Sequence, residues 1–469
     1  MLELPVNTMP PLAGGLAWSA SVNLAIASAN RLGSGSGVSF LGRNNANRKH
    51  MAKCIPRWFN GGGQKQSGFM KKIILFLTLA GPLTAAPWPM HIIDNTSRGA
   101  DGVRLLDINN DKRLDIATGW EEGGVIRAYL HPGNAKVTER WPMIEVGKVK
   151  SPEDAVFVDL DGDGYEDIVS CSEGQTRTVH FHWSPRNDPQ REVLPWRTQA
   201  VPVTVGKQSW MFAVPLWVDE QGMDLVLGSK GAEASIGWLQ SPKDPRAVGD
   251  WRFHRWYDAG WVMSLIKADM DGDGDLDVLA SDRRSRTPGV LWLENPGVAA
   301  MKNNPAQRWA AHRVGATGRE VMFITRSIRK QLVVRKAKEK TTAIYAAVRP
   351  NRIEVLRPGK DVKQPWDEEI ITYSLDRFGT AKAARAADLD GDGQLEIAVS
   401  CESATGDKSG VFYLKPVDGK WEPHDIGGPK GLKYDRIELL DLDGDGDLDL
   451  LTCEERDFNA VLWYENPAK

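Results

Sequence analysis

From residue 88 onward the apolar positions fall in short β-rich runs. Four of them, "EDIVS", "LDVLA", "LEIAVS" and "LDLLT", directly follow loops dense in aspartate and glycine. A second pattern is a tryptophan-led strand, beginning at Trp88, Trp141, Trp196, Trp251, Trp309, Trp366 and Trp421, at spacings of 53 to 58 residues. A third is an aromatic strand ending in proline: "AYLHP", "HFHWSP", "GWLQSP", "LWLENP", "EVLRP", "FYLKP" and "LWYENP". One unit of about 55 residues therefore contains an apolar strand, an acidic loop, a second strand, an aromatic third strand and a tryptophan-led fourth. Seven such units predict an all-β, seven-bladed β-propeller with four antiparallel strands per blade. The last unit stops before its fourth strand, while residues 88–94 form an isolated one. The expectation is that this N-terminal strand completes the last blade near Val461–Glu465, closing the ring and covering a sheet edge.

The acidic loops carry the clearest chemistry. With the first aspartate as position 1, positions 3, 5 and 9 also offer carboxylates, with glycines between them. The sets are Asp159, Asp161, Asp163 and Asp167; Asp269, Asp271, Asp273 and Asp277; Asp388, Asp390, Asp392 and Glu396; and Asp441, Asp443, Asp445 and Asp449. Asp107, Asn109, Asp111 and Asp115 form a weaker fifth set, with Lys112 where the others have glycine and the left-handed turn is easiest. Hard calcium takes six to eight oxygen ligands, and a tight turn can aim alternate side chains at it. Four to five structural Ca²⁺ ions are expected. An EF-hand is excluded, since position 12 is Ser170, Ala280, Val399 or Thr452 rather than a bidentate glutamate, and strands follow the loops. The third unit, "VDEQGMD", is too short for the ligand set. The fifth carries a basic run instead, with seven Lys/Arg and one Glu over residues 326–340, read as a solvated hairpin or an anion-docking surface.

The chain begins differently. Residues 70–86, "MKKIILFLTLAGPLTAA", have a basic start, an apolar stretch too short to span a bilayer, and small residues after it, the pattern of a secretory signal peptide. Residues 1–69 hold seven basic residues and one acid, and are read as a gene-model artefact or a disordered basic leader. The remaining chain, 87–469, carries 50 basic and 61 acidic residues, a net charge of about −11 that disfavours nucleic acid as a partner. No later segment could span a membrane, so export to the periplasm, cell surface or medium is expected. Cys171, Cys401 and Cys453 occupy one repeat position, and an odd count argues for small buried core residues rather than a disulfide framework.

"DxDGDGxxD" followed at this spacing by "WYENP" resembles the FG-GAP and VCBS repeats of secreted bacterial propellers and, more distantly, the calcium-loop blades of integrin α chains. The resemblance covers residues 88–469. It implies that the calcium loops join first to second strands on one face, leaving the opposite face for ligands. It does not settle an activity.

Candidates for that opposite face are Glu121, Glu122, Glu173, Asp282, Arg283, Arg284, Arg286, Glu402, Glu454 and Arg456 between second and third strands. The links between blades add Trp210, Trp261, Arg319, Arg377 and Tyr434. Arginines beside aromatics suit carboxylated sugars or acidic peptides. His91, His254, His312 and His424 each lie three residues after a repeat tryptophan and read as packing residues. His180 and His182 share one face of a strand and are the candidate acid–base or metal pair. The favoured function is a non-catalytic binding module for carbohydrate or protein. The alternative is a carbohydrate-active lyase or dehydratase, since some exported enzymes resembling this chain, such as aldos-2-ulose dehydratase, contain calcium-dependent propellers.

Overall fold

The computed structural model describes residues 86–185, 195–333 and 336–468. The leader, 1–69, and the signal segment, apart from Ala86, lie outside the described residues. The remainder is a seven-bladed propeller of seven four-stranded antiparallel sheets; six follow chain order from first to fourth strand, and the seventh takes its outer strand from Met90–Asp94. Blade one comprises Ala100–Leu106, Asp115–Trp120, Val125–Tyr129 and Met143–Lys148. The other blades open with Pro152–Val158, Ser209–Leu216, Val262–Ala268, Val321–Val333, Thr380–Ala387 and Tyr434–Leu440. Among the described residues no helix is long and apolar enough to cross a membrane.

The repeat motifs correspond to recurrent packing. The histidine three residues after the tryptophan faces the aromatic of the third strand across the ladder: His91 opposite Trp463, His254 opposite Trp238, His312 opposite Trp292 and His424 opposite Tyr413. Ring centroids lie 4.5, 5.1, 4.5 and 4.8 Å apart, respectively, within the range of favourable ring contacts. Cys171, Cys401 and Cys453 are free, buried residues, as a core role requires.

Blade five departs from the pattern. Its first two strands, Val321–Val333 and Lys336–Val348, are thirteen residues each and pair as far as Val333 and Lys336. The expected hairpin is thus a continuation of the sheet ladder, standing where other blades carry an acidic loop.

Every first strand also breaks register against the second. The interruptions fall at Asp101/Arg104, Pro152/Asp154, Trp210/Phe212, Val262/Ser264, Val321/Ile324, Ala381/Ala383 and Tyr434/Ile437. A bulge re-aims the skipped residue. Among the skipped residues are Glu153, Lys382, Asp435 and Arg436. The first strands meet at the axis, where Phe212 of blade three lies 5.9 Å from Phe323 of blade five. The guanidiniums of Arg104 and Arg436, from blades one and seven, each sit 5.8 Å from one of these rings. Arg104 is held by two bonds to Asp154, of 2.8 and 2.7 Å.

Closure follows the expected route. Met90–Asp94 pairs antiparallel with Ala460–Tyr464, aligning Met90 with Tyr464 and Ile92 with Leu462. The closing strand is also tied to blade one. Buried Asp94 accepts from Arg127 at 2.6 Å, Tyr129 at 2.8 Å and the Thr96 hydroxyl at 2.8 Å. Burial pushes the Asp94 carboxyl up, but bonds from Thr96 and Tyr129 and the Arg127 charge more than reverse this, so it titrates below its usual value. Removing one partner of such a pair strands a buried charge, at a cost of about 3–5 kcal/mol. Asp94→Ala is expected to lower unfolding free energy by about that amount in urea denaturation.

Candidate functional site

The acidic loops share one construction. Position 1 accepts amides from the far side of the turn: Asp159 bonds Asp163 N at 3.1 Å and Gly164 N at 3.0 Å, and Asp388 bonds Gly393 N at 3.0 Å. Position 5 accepts from position 7, as in Asp273 to Asp275 N at 3.0 Å and Asp445 to Asp447 N at 3.0 Å. The turn requires positive φ at positions 4 and 6, supplied by Gly162 and Gly164 at 72° and 87°. In the weaker loop Asn110 and Lys112 adopt 62° and 69°. Lys112 therefore follows the glycine path despite its side chain, and the Asp107 loop has the same shape as the others.

Position 9 has a second role that the spacing alone does not reveal. Its two oxygens accept two backbone amides, one from position 2 of the loop and one from the residue before the proline of the third strand. Asp115 bonds Ile108 N and His131 N, both at 2.9 Å. Asp277 bonds Met270 N and Asn295 N, both at 2.8 Å, and Asp449 bonds Leu442 N and Asn466 N, both at 2.9 Å. Asp167 clamps Ser184 N at 2.8 Å and reaches Leu160 N at 3.4 Å. Asp224 in blade three, which lacks the ligand loop, makes the same clamp to Val218 N at 3.1 Å and Ser241 N at 2.8 Å. The clamp is thus independent of the rest of the ligand set.

These oxygens form hard donor sets. One oxygen from each of Asp159, Asp161 and Asp163 lies within 4.8 Å of the others, as do those of Asp269, Asp271 and Asp273, and those of Asp388, Asp390 and Glu396. Asp388 Oδ1 and Glu396 Oε1 are buried without a hydrogen-bond donor, as a cation-ready site requires. Burial raises the position-9 carboxyls, with neighbouring carboxylates adding to it: Asp115 to about 6, Asp277 and Asp449 to about 7 and Asp167 to about 8. Basic side chains approach the same loops. Arg246 pairs with Asp161, Lys363 lies 3.3 Å from Asp271, and Lys415 lies 2.9 Å from Asp392.

On the opposite face the candidates divide. Trp261 is half-buried and surrounded by cations, with Arg283, Lys230 and Arg284 at 4.5, 4.8 and 4.9 Å from its ring. Arg283 and Arg284 both bond Glu320, at 3.2 and 2.8 Å, and Arg349 reaches its other oxygen at 3.3 Å. Arg286 is exposed beside them. Arg319 is held by Glu354 and Glu368 at 2.6 and 3.0 Å, and Arg377 lies 5.0 Å over Phe378. A cleft of about 620 Å³ between a turn of blade one and the link that follows that blade is lined by Glu121, Glu122, Lys148 and Lys150.

Two expected face residues lie in the core instead. Trp210 is 1% exposed and donates to Thr204 O at 3.1 Å; Tyr434 is fully buried, its hydroxyl 2.7 Å from that of Tyr464. Both stand at the start of a first strand, where the chain has already turned inward. Asp282 and Glu454 accept amides of the adjoining blade links, including Trp261 N at 3.0 Å and Lys433 N at 3.0 Å, and so hold those links. His182 is buried and bridges Ser170 at 2.8 Å and Thr198 at 2.9 Å. Burial lowers His180 to about 4 and His182 to about 3, so both are neutral at physiological pH and lack the midrange pKa a proton shuttle needs.

Residues 107–170 and 388–452 match the FG-GAP-like repeat. The chain carries FG-GAP-like repeats. The matched segments contain the loops beginning at Asp107, Asp159, Asp388 and Asp441. No curated protein matches the sequence. Among solved structures, Sqt1 from Chaetomium thermophilum is similar at 10% identity, covering 79% of this chain and 83% of that one, with a TM-score of 0.44. BBS1N, solved in complex with ARL6DN, is similar at 9% identity over 81% of this chain and 97% of that one, with a TM-score of 0.46. Sqt1 bound to the N-terminus of ribosomal protein L10 gives 10% identity, 81% and 90% coverage and a TM-score of 0.42.

The clamp is testable where no ligand loop complicates it. Asp224→Ala leaves two buried amides without an acceptor, each costing about 1–3 kcal/mol. Urea denaturation in EDTA is expected to show a loss of about 2–6 kcal/mol.

Proposed function

We propose that this FG-GAP propeller is an exported binding module that takes a carboxylated ligand, an acidic glycan above all, on the face opposite its acidic loops. The observation that carries this reading is the group at Trp261: an aromatic ring contacted by Arg283, Arg284 and Lys230, with exposed Arg286 beside it. Arg283 and Arg284 share one oxygen of Glu320 while Arg349 is divided between Glu320 and Glu402, which leaves donor capacity on Arg283 and Arg284 for an incoming carboxylate. An aromatic face beside such donors suits a sugar ring carrying an acid group. The half-buried His180 and buried His182, both neutral, lend no support to the lyase alternative. Export rests on the signal-like segment 70–86.

Titration calorimetry with polygalacturonate, and with neutral dextran as control, tests the ligand. Binding is expected for the acidic polymer alone. Arg284→Ala and Arg286→Ala are each expected to weaken it about tenfold or more, the worth of a charge-assisted hydrogen bond. Equal binding of dextran, or unchanged affinity in both variants, would overturn the reading.

The loops are assigned to Ca²⁺ as structural ions, with Asp107, Asn109, Asp111 and Asp115 the fifth set. Bound calcium supplies positive charge that offsets the mutual repulsion of the loop carboxylates. Extracellular calcium modules bind at about 10⁻⁴–10⁻³ M. At about 1 mM free ion each site then contributes roughly 0.4–1.4 kcal/mol, and five sites about 2–7 kcal/mol. Excess EDTA is expected to lower the melting temperature by several degrees or more, with calcium restoring it. An identical melt with and without chelator would exclude the assignment.

A further inference from the structure

A separate acidic group lies at the axial mouth, on the face away from the loops. Asp101 begins the first strand of blade one, Asp435 is skipped by the bulge of blade seven, and Glu455 follows that blade's second strand. One carboxylate oxygen from each lies within 4.8 Å of the other two. Asp101 belongs to a second such triad with Glu121 and Glu153.

These groups are not a solvated rim. Asp435 and Glu455 are 1% and 2% exposed. Lys382 lies 3.2 Å from Asp435, and Lys433 pairs with one oxygen of Glu455. The other, Glu455 Oε1, is buried without a hydrogen-bond partner. Asp101 and Asp435 bring carboxylate oxygens within 4.8 Å of each other, and burial together with the Asp435 charge pushes the Asp101 carboxyl well up. A buried acceptor left unmade costs free energy that a native structure normally recovers through a ligand or ion.

We propose that Asp101, Asp435 and Glu455 form a divalent-cation site at the axial mouth, distinct from the blade loops and selective for hard ions such as Ca²⁺, Mg²⁺ or Mn²⁺. The donors are all oxygen, which suits these ions rather than zinc or copper. Ligand oxygens about 2.1–2.6 Å from one centre lie at most about 5 Å apart, in line with the observed spacing. The ion offsets the repulsion among the three carboxylates and gives Glu455 Oε1 the partner it lacks. It also joins blade seven to blade one across the seam where the ring closes. Three side chains leave coordination positions open toward the mouth, where a carboxylate of a bound molecule can enter. The site depends neither on occupancy of the loops nor on the assignment at Trp261.

The test is Mn²⁺ binding to the full chain, stripped with EDTA and followed by electron paramagnetic resonance. Glu455→Gln and Asp101→Asn are each expected to bind one ion fewer per chain than wild type, while the loop variant Asp273→Asn loses a different one. The double variant Glu455→Gln/Asp273→Asn is then expected to lose two. Unchanged stoichiometry in both mouth variants would overturn the proposal, even if Asp273→Asn loses its ion. Should the mouth variants fail to fold, anomalous diffraction from Mn²⁺-soaked wild-type crystals decides. A peak among the three carboxylates supports the site, and peaks in the loops with none at the mouth refute it.

Discussion

The lower end of most blades depends on one buried carboxylate with two backbone amides to satisfy. Position 9 holds the start of the loop and the end of the third strand at once, so loop, second strand and third strand become a single unit. An unsatisfied buried amide is costly, and the clamp removes two of them per blade. Blade three retains it through Asp224 after losing the loop. Blade six substitutes Glu396, whose longer arm bonds Leu389 N at 2.8 Å. Blade five continues its ladder instead, so that strand pairing satisfies the backbone there.

This explains a correlation between two motifs far apart in each unit. The acid of the loop and the residue before the third-strand proline are hydrogen-bonded: Asp277 with Asn295, Asp449 with Asn466. The proline ends the strand because it cannot donate to the next ladder position. The same acid is left buried among other carboxylates, which pushes its carboxyl above the usual carboxylate range. The scaffold and the acidic loop therefore share one residue, and the loop cannot be altered at position 9 without affecting the blade.

The two faces build their charge differently. Each loop draws its acids from nine consecutive residues, so its chemistry is local. The axial mouth draws Asp101, Glu153, Lys382, Asp435 and Glu455 from four blades, and the register breaks of the first strands bring several of them there. The inner strands also bring apolar rings together, Phe212 and Phe323 lying 5.9 Å apart.

The sequence by itself determined the number of blades, the four-strand unit, the closing strand and the positions of the acidic loops. Those features repeat at a fixed period and arise from neighbours in the chain, so spacing is enough to read them. It misjudged Trp210 and Tyr434, because residues that open an inner strand look like link residues until the strand's direction is known. It passed over the mouth carboxylates and lysines. Glu153, Lys382 and Asp435 left a trace as charge inside first strands, in "SPEDAVFV", "TAKAARAA" and "KYDRIELL". Only the tertiary structure decided which of them meet, because a bulge breaks the two-residue alternation and a closed ring makes neighbours of blades one and seven.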